Sequence, residues 1–251
     1  MSARYQSGRA LSGKAANTWL ATVAPFVQRS ARPRIIDLGA GTGRFSVLFA
    51  RSFEATIIGV EPSTGMLAVA ADEEQQPQNL TYVAGAAERI PLVDASCDLG
   101  WLSHVWHHIR DHQACAAELR RVVRTGSHVL LRGTFGDQLD GFPTVFRFWP
   151  AARTICEQLP TIQETVRVFE TNGFTLVDHQ RVRQETAANL SEFARRTQAR
   201  ADSALVLISD AEFHEGQAAI EAAAGRERDP VPVIEVIELL VFRKRSTRVA
   251  A

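Results

Sequence analysis

Cysteine is scarce in this 251-residue chain, which has three: Cys97, Cys115 and Cys156. They are odd in number, widely spaced and form no CxxC pair. That excludes a disulfide framework and the usual ligand spacing of a zinc site, and it points to a reduced, cytoplasmic setting. Net charge is lacking as well, because 28 basic side chains balance 28 acidic ones. A neutral chain offers no electrostatic footprint for nucleic acid or for an anionic membrane surface. No apolar run is long enough to span a bilayer, so no membrane insertion is expected. The opening residues, Met1 to Gln6, have no apolar h-region, so no signal peptide is expected. No internal repeat is visible. What remains is an ordinary globular composition, 45% hydrophobic and 22% charged, long enough for one sizeable core with an extra layer or lid.

From Arg34 onward the sequence alternates between strand and helix patterns. Strands are expected at Arg34–Leu38, Thr56–Val60, Leu80–Val83, Cys97–Ser103, His128–Leu131, Phe174–Val177 and Val233–Phe242. Helices are expected through Phe45, Val47, Leu48 and Phe49, after Pro62-Ser63, from an N-cap at Asp111 to Arg124 with Thr125-Gly126 closing it, and over Glu164–Thr171. A helical stretch of about 190–224 contains Ser209-Asp210-Ala211-Glu212, a capping box that divides it into two helices. Near the start, Trp19, Leu20, Val23, Phe26 and Val27 share one helical face that Pro25 bends or ends. Regular β-α-β alternation with continuous apolar strands means an α/β protein with a parallel sheet covered on both faces. A single domain is expected: a helical flap over 1–33, a core over 34–135, an insertion over 136–163, and the rest of the sheet over 164–245 with a helical insertion at about 189–225. A basic tail follows Arg243.

The chain is organised around Ile35-Ile36-Asp37-Leu38-Gly39-Ala40-Gly41-Thr42-Gly43. A buried strand runs into a glycine turn and then directly into a helix, which lets a ligand approach bare backbone. Alone this is a weak signal. In open α/β sheets, however, ligands bind beyond the carboxyl ends of the strands, and several such ends here carry suitable residues. Strand two ends in Glu61, placed to accept hydrogen bonds from a ribose diol. Strand three ends in Gly85-Ala86-Ala87-Glu88, and strand four in Ser103-His104. An acid after strand two serves nicotinamide and S-adenosylmethionine sites alike, so Glu61 by itself indicates an adenosine.

Taken in order, these segments resemble the motifs of the class I S-adenosylmethionine-dependent methyltransferases, closest to the small-molecule (type 11, quinone and natural-product) branch. The first motif is Ile35–Gly43 and the second is Ile58-Gly59-Val60-Glu61-Pro62-Ser63 with Met66-Leu67. Gly85–Leu92 resembles the segment after strand three. Asp98 with Val105-Trp106-His107-His108-Ile109-Arg110-Asp111 resembles the fourth motif, and Glu118–Arg124 continues the match. The resemblance covers about 34–135. It implies a Rossmann-like fold with about seven strands, the last antiparallel, plus helical lid insertions. It also implies S-adenosylmethionine as cofactor and a small-molecule acceptor. Gly39, Ala40 and Gly41 would face the methionine portion, Glu61 with Pro62 the ribose, Met66 the adenine ring, Ala86, Ala87 and Glu88 its edge, and Ser103 the methionine amine. One departure is Ala86, which stands where the family carries an aspartate, so Glu88 or backbone must serve the adenine amino group.

Methyl transfer asks the protein to place a nucleophile in line and exclude water, with a base only if the nucleophile is protonated. His104, His107 and His108 cluster where an acceptor would lie. His107 reads as structural, and His104 and His108 as the residues that face substrate. No carboxylate ends strand four, so no metal site is expected. Tyr5 and Arg9 read either as a plain terminus or as a flap that meets cofactor. Phe142, Phe146, Phe148 and Trp149 lie in the insertion where the family builds its acceptor lid. They either pack the added helices or line a pocket for a planar or apolar acceptor. A nicotinamide-dependent oxidoreductase and a non-catalytic cofactor-binding protein are the competing readings.

Overall fold

A computed structural model describes residues 11–27, 32–72 and 76–246. Tyr5, Arg9 and the end of the basic tail lie outside the described residues. In chain order the elements are α1 (Gly13–Val23), β1 (Arg34–Leu38), α2 (Arg44–Ser52), β2 (Thr56–Glu61), α3 (Thr64–Ala71), β3 (Leu80–Ala84) and β4 (Cys97–Ser103). They continue with α4 (His112–Val122), β5 (Val123–Gly133), α5 (Pro143–Phe148), α6 (Pro150–Cys156), α7 (Ile162–Thr171) and β6 (Phe174–Ala187). The last are α8 (Leu190–Thr197), α9 (Ser203–Leu207), α10 (Asp210–Ala224) and β7 (Val233–Lys244). Short 3₁₀ turns cover Ala24–Phe26 and Trp106–His108.

The seven strands form one sheet in the order β3-β2-β1-β4-β5-β7-β6. β1 to β5 pair in parallel, and β7 runs antiparallel to β5. This is the expected Rossmann-like arrangement with a reversed late strand. Strand order switches direction between β1 and β4, so the carboxyl ends of these two strands flank the crevice where such sheets bind ligands.

The main departures from the sequence reading are three. α4 stops at Val122, because Val123 is already paired with Cys97 on β4. Gly126 therefore sits inside β5 at φ +81°, beside an irregular register between Cys97 and Leu99, and does not cap a helix. β6 runs ten residues past Val177, to Ala187, through Asp178-His179-Gln180-Arg181, whose side chains are largely solvated on this edge strand. Polar edge segments hide from apolar periodicity. The 190–224 stretch holds three helices, not two. The Ser209–Glu212 capping box is present, and a second break follows Thr197, where Arg200 adopts φ +45° and the Asp202 carboxylate accepts from Ala204 N at 2.9 Å.

The chain divides into two compact units. One comprises Leu20–Gly133, Gln163–Gln180 and the chain from Glu238. Its core packs Phe45, tilted, and Phe49, edge to face, against Trp101 with ring centroids at 5.0 and 5.3 Å, and stacks Phe169 on Phe242 at 4.0 Å. The other comprises the described residues up to Trp19 with Thr134–Ile162 and Arg181–Ile237. It is mainly helical and has its own core, which includes Trp149, Ala152, Phe193, Leu205, Phe213 and Ile220. Trp149 is the pivot of that core. Its indole N–H donates to the Phe213 carbonyl at 3.0 Å and its ring stacks on Phe213. No helix among the described residues is long and apolar enough to cross a membrane.

A β-carbon at Gly216 would lie 2.3 Å from Trp149 Nε1 and 2.5 Å from the Phe148 carbonyl. Gly216→Ala should therefore cost about 1–3 kcal/mol through overpacking, against a smaller gain in helix propensity. Urea unfolding measures this, and unchanged stability would contradict the close helix–indole contact.

Candidate functional site

The site begins with the turn after β1. Gly39 and Gly41 adopt φ +74° and +58°, values that side chains disfavour. Gly39 N and Ala40 N both donate to the Val60 carbonyl, at 2.8 and 3.1 Å, which staples the turn to the end of β2. A β-carbon on Gly39 would strike Val105 Cγ2 at 2.3 Å, whereas one on Gly41 would meet nothing within 4 Å. The turn is thus tightly backed on its β4 side and open at Gly41. Beneath it Asp37 is buried and accepts from Ser46 Oγ on α2 at 2.6 Å. Burial pushes its carboxyl pKa up to about 6, against the lowering pull of the Ser46 hydrogen bond.

Glu61 closes the turn from the neighbouring strand. Only 8% exposed, it accepts from Gly41 N (2.9 Å) through Oε2 and from Ser63 N (3.0 Å) through Oε1. A carboxylate has about four lone-pair positions, so these bonds orient the group and leave one direction on each oxygen for a ligand diol. Ser63 then caps α3 by accepting from Met66 N at 3.3 Å, which places Met66, half-buried, on the first turn of α3 just past Glu61. Pro62 is exposed beside them.

After β3, Arg89 N donates to the Ala86 carbonyl at 3.1 Å, which makes Ala86–Arg89 a tight turn with Ala87 buried. Glu88 Oε1 accepts from Arg110 N at 3.2 Å. Its carboxylate is therefore engaged by the loop before α4, which leaves it a weaker substitute for the missing aspartate than the turn's own backbone. Two α4 residues hold this segment. Glu118 accepts from Ile90 N at 2.8 Å, and Arg121 donates to the carbonyls of Ile90 and Leu92 at 2.8 and 2.6 Å. Arg121 also holds the Glu118 carboxyl below the usual carboxylate range.

The end of β4 carries Ser103 and His104. Ser103 Oγ accepts from Arg132 Nη1 at 3.0 Å, and His104 N donates to the Arg132 carbonyl at 2.8 Å. His104 adopts φ +51°, a left-handed backbone for a residue with a side chain. In the 3₁₀ turn that follows, Trp106 is buried, stacks on His112 at 4.3 Å and donates to Thr165 Oγ1 at 3.0 Å. This anchor presents His107, half-buried, and His108, exposed, with ring centroids 4.0 Å apart. Asp98, at the other end of β4, accepts from Arg34 N at 2.8 Å and pairs with Arg124, so it braces the amino edge of the sheet.

One unit thus brings together Gly39, Ala40, Gly41, Glu61, Pro62, Met66, Ala86, Ala87, Glu88, Ser103, His104 and His108. Phe142, Phe146 and Trp149 belong to the other unit. Phe142 and Phe146 are half-buried with rings edge to face at 6.0 Å, while Trp149 is 1% exposed and packed as core. Arg132 was not among the residues expected from the sequence. Its signal was a lone charge in the apolar run Val129-Leu130-Leu131. Among the described residues no group of three or more His, Cys, Asp or Glu is placed to hold a metal ion.

Residues 36–131 match the family described as "Methyltransferase domain". A malonyl-[acyl-carrier protein] O-methyltransferase of Marinomonas sp. is 36% identical over 97 residues, which are 38% of this chain and 36% of that one. A demethylmenaquinone methyltransferase of Streptomyces griseus is 30% identical over 146 residues, covering 56% of this chain and 62% of that one. The chain spans less than two thirds of the length of either relative. A solved structure titled a putative methyltransferase from an antibiotic biosynthesis pathway of Anabaena variabilis superposes with a TM-score of 0.75 at 17% identity. The superposition covers 95% of this chain and 99% of that one, and it speaks for the fold.

The raised Asp37 pKa has a stability consequence. Between the ordinary 3.8 and about 6 the folded state holds a proton that the unfolded chain has released. The group's contribution is therefore most favourable at low pH and is lost as pH rises through about 6, by roughly 3 kcal/mol at 1.36 kcal/mol per pKa unit. Asp37→Asn should flatten this fall, with the mutant gaining on the wild type from pH 4 to 7 in urea unfolding. Parallel pH profiles for the two proteins would contradict it.

Proposed function

We propose that this chain, whose residues 36–131 match a methyltransferase domain, uses S-adenosylmethionine to methylate a small, aromatic or apolar acceptor at oxygen, nitrogen or carbon. One observation carries the reading. The buried Glu61 carboxylate is aimed by Gly41 N and Ser63 N beside a turn that is open at Gly41. That oriented acceptor beside an open turn suits the ribose diol of an adenosine, with room along the turn for its methionine arm. When bound, the cofactor supplies an electrophilic methyl group on a sulfonium.

The chain's own residues would then do the following. Glu61 would accept from the two ribose hydroxyls, with Pro62 against the sugar. Met66 would pack on the adenine, and the Ala86–Ala87 backbone, with Glu88 nearby, would read its edge. Gly39, Ala40 and Ser103 would line the methionine arm, and Tyr5 and Arg9 would meet cofactor or acceptor from the flap. His104 or His108 would take the acceptor's proton where the nucleophile holds one at neutral pH, with Trp106 fixing the turn that carries His108. Phe142 and Phe146 would offer apolar surface to the acceptor. An apolar acceptor is also in keeping with a relative named for demethylmenaquinone. A cytoplasmic site of action fits three buried, unpaired cysteines.

Calorimetric titration with S-adenosylmethionine, S-adenosylhomocysteine and NADH tests the cofactor, and binding of NADH alone would overturn the proposal. Glu61→Ala should weaken S-adenosylmethionine binding by about 1–3 kcal/mol through the lost hydrogen bonds, and an unchanged affinity would remove its assigned role. For proton transfer, His104→Ala and His108→Ala are compared at saturating substrates. Loss of turnover with a flattened pH profile in one of them identifies the base, whereas full turnover across pH in both shows that no histidine acts.

A further inference from the structure

We propose that Arg132 is a positioning residue that sets the end of β4 for cofactor binding, an inference that rests on the S-adenosylmethionine reading above. Arg132 is 2% exposed near the carboxyl end of β5, directly opposite Ser103 in the parallel register. It touches the neighbouring strand end through both of its halves. The guanidinium donates to Ser103 Oγ at 3.0 Å, and the carbonyl accepts from His104 N at 2.8 Å. The guanidinium also lies over the Phe45 ring, 5.3 Å from its centroid, and Phe45 stands on α2 directly behind the glycine turn. One residue therefore joins three segments: β5, the β4 end and the helix that follows the turn.

This clamp works on a residue that resists its conformation. His104 is left-handed at φ +51°, a state that a residue with a β-carbon populates about tenfold less than its alternatives when nothing holds it. The bend delivers Val105 against Gly39, the contact that a β-carbon at Gly39 would occupy. Held by Arg132, Ser103 and Val105 present one fixed wall to the turn. Released, the strand end divides its time among other conformations, and apparent affinity falls by the fraction that stays competent.

The test measures S-adenosylhomocysteine affinity by calorimetry, with thermal unfolding alongside, for Arg132→Met, Arg132→Lys, Ser103→Ala and the Arg132→Met/Ser103→Ala double variant. Arg132→Met should weaken binding about tenfold, by the population argument above. Ser103→Ala should weaken it in the same direction, and the double variant should be no worse than Arg132→Met, because the two changes break one interaction. Arg132→Lys, which keeps a donor, should restore part of the loss. Adding His104→Gly to Arg132→Met should recover affinity, since glycine enters the left-handed region without penalty. A merely structural arginine would lower the melting temperature with no such rescue. Unchanged affinity in folded Arg132→Met or in Ser103→Ala would overturn the proposal, as would additive losses in the double variant. Failure of the wild-type protein to bind S-adenosylhomocysteine would instead overturn the cofactor reading itself.

Discussion

The hydrogen bonds from Gly41 N and Ser63 N to the Glu61 carboxylate connect everything else in the site. Strand β2 would otherwise end beside the glycine turn without fixing it. With Glu61 buried between them, the turn after β1 and the start of α3 share one carboxylate, and a buried carboxylate requires such partners to offset lost hydration. Because the Val60 carbonyl also takes Gly39 N and Ala40 N, two successive residues of β2 dictate the shape of the turn. The backbone that would face a ligand is thus held by its neighbour strand as well as by glycine.

The other strand ends are held by the same logic with different donors. The turn after β3 is secured by Glu118 and Arg121 from α4, and the end of β4 by Arg132 from β5. Each of these segments is braced by a charged residue on an adjacent element in addition to its own local turn geometry. Such support keeps a site preorganised when the segments themselves are loops.

Much of this was legible in the sequence. Continuous apolar strands gave the parallel sheet, and β1 and β4 kept their expected bounds because buried strands are bracketed by clear turn residues. The Asp111 cap and the Ser209–Glu212 box are local chemistry and were visible as such. The extent of β6 was not, since its second half alternates polar and charged residues with few apolar ones along a sheet edge. Nor was the end of α4, where pairing of Val123 with Cys97 outweighs a Thr-Gly stop signal.

By itself, then, the sequence determined the fold class, the resemblance to a methyltransferase domain over residues 36–131 and the residues that stand at the strand ends, because these depend on period, glycine placement and acid spacing within short windows. Tertiary structure decided how those residues are used. It turned Glu88 toward the loop before α4, assigned Trp149 to a core, and placed Asp37 under the turn on Ser46. It also brought Arg132 against Ser103 and bent His104 into a left-handed conformation. The physical reason is sequence distance. Arg132 lies 29 residues from Ser103, and only strand pairing makes them neighbours. The glycine turn is written in nine consecutive residues, but much of what holds its shape comes from elsewhere in the chain.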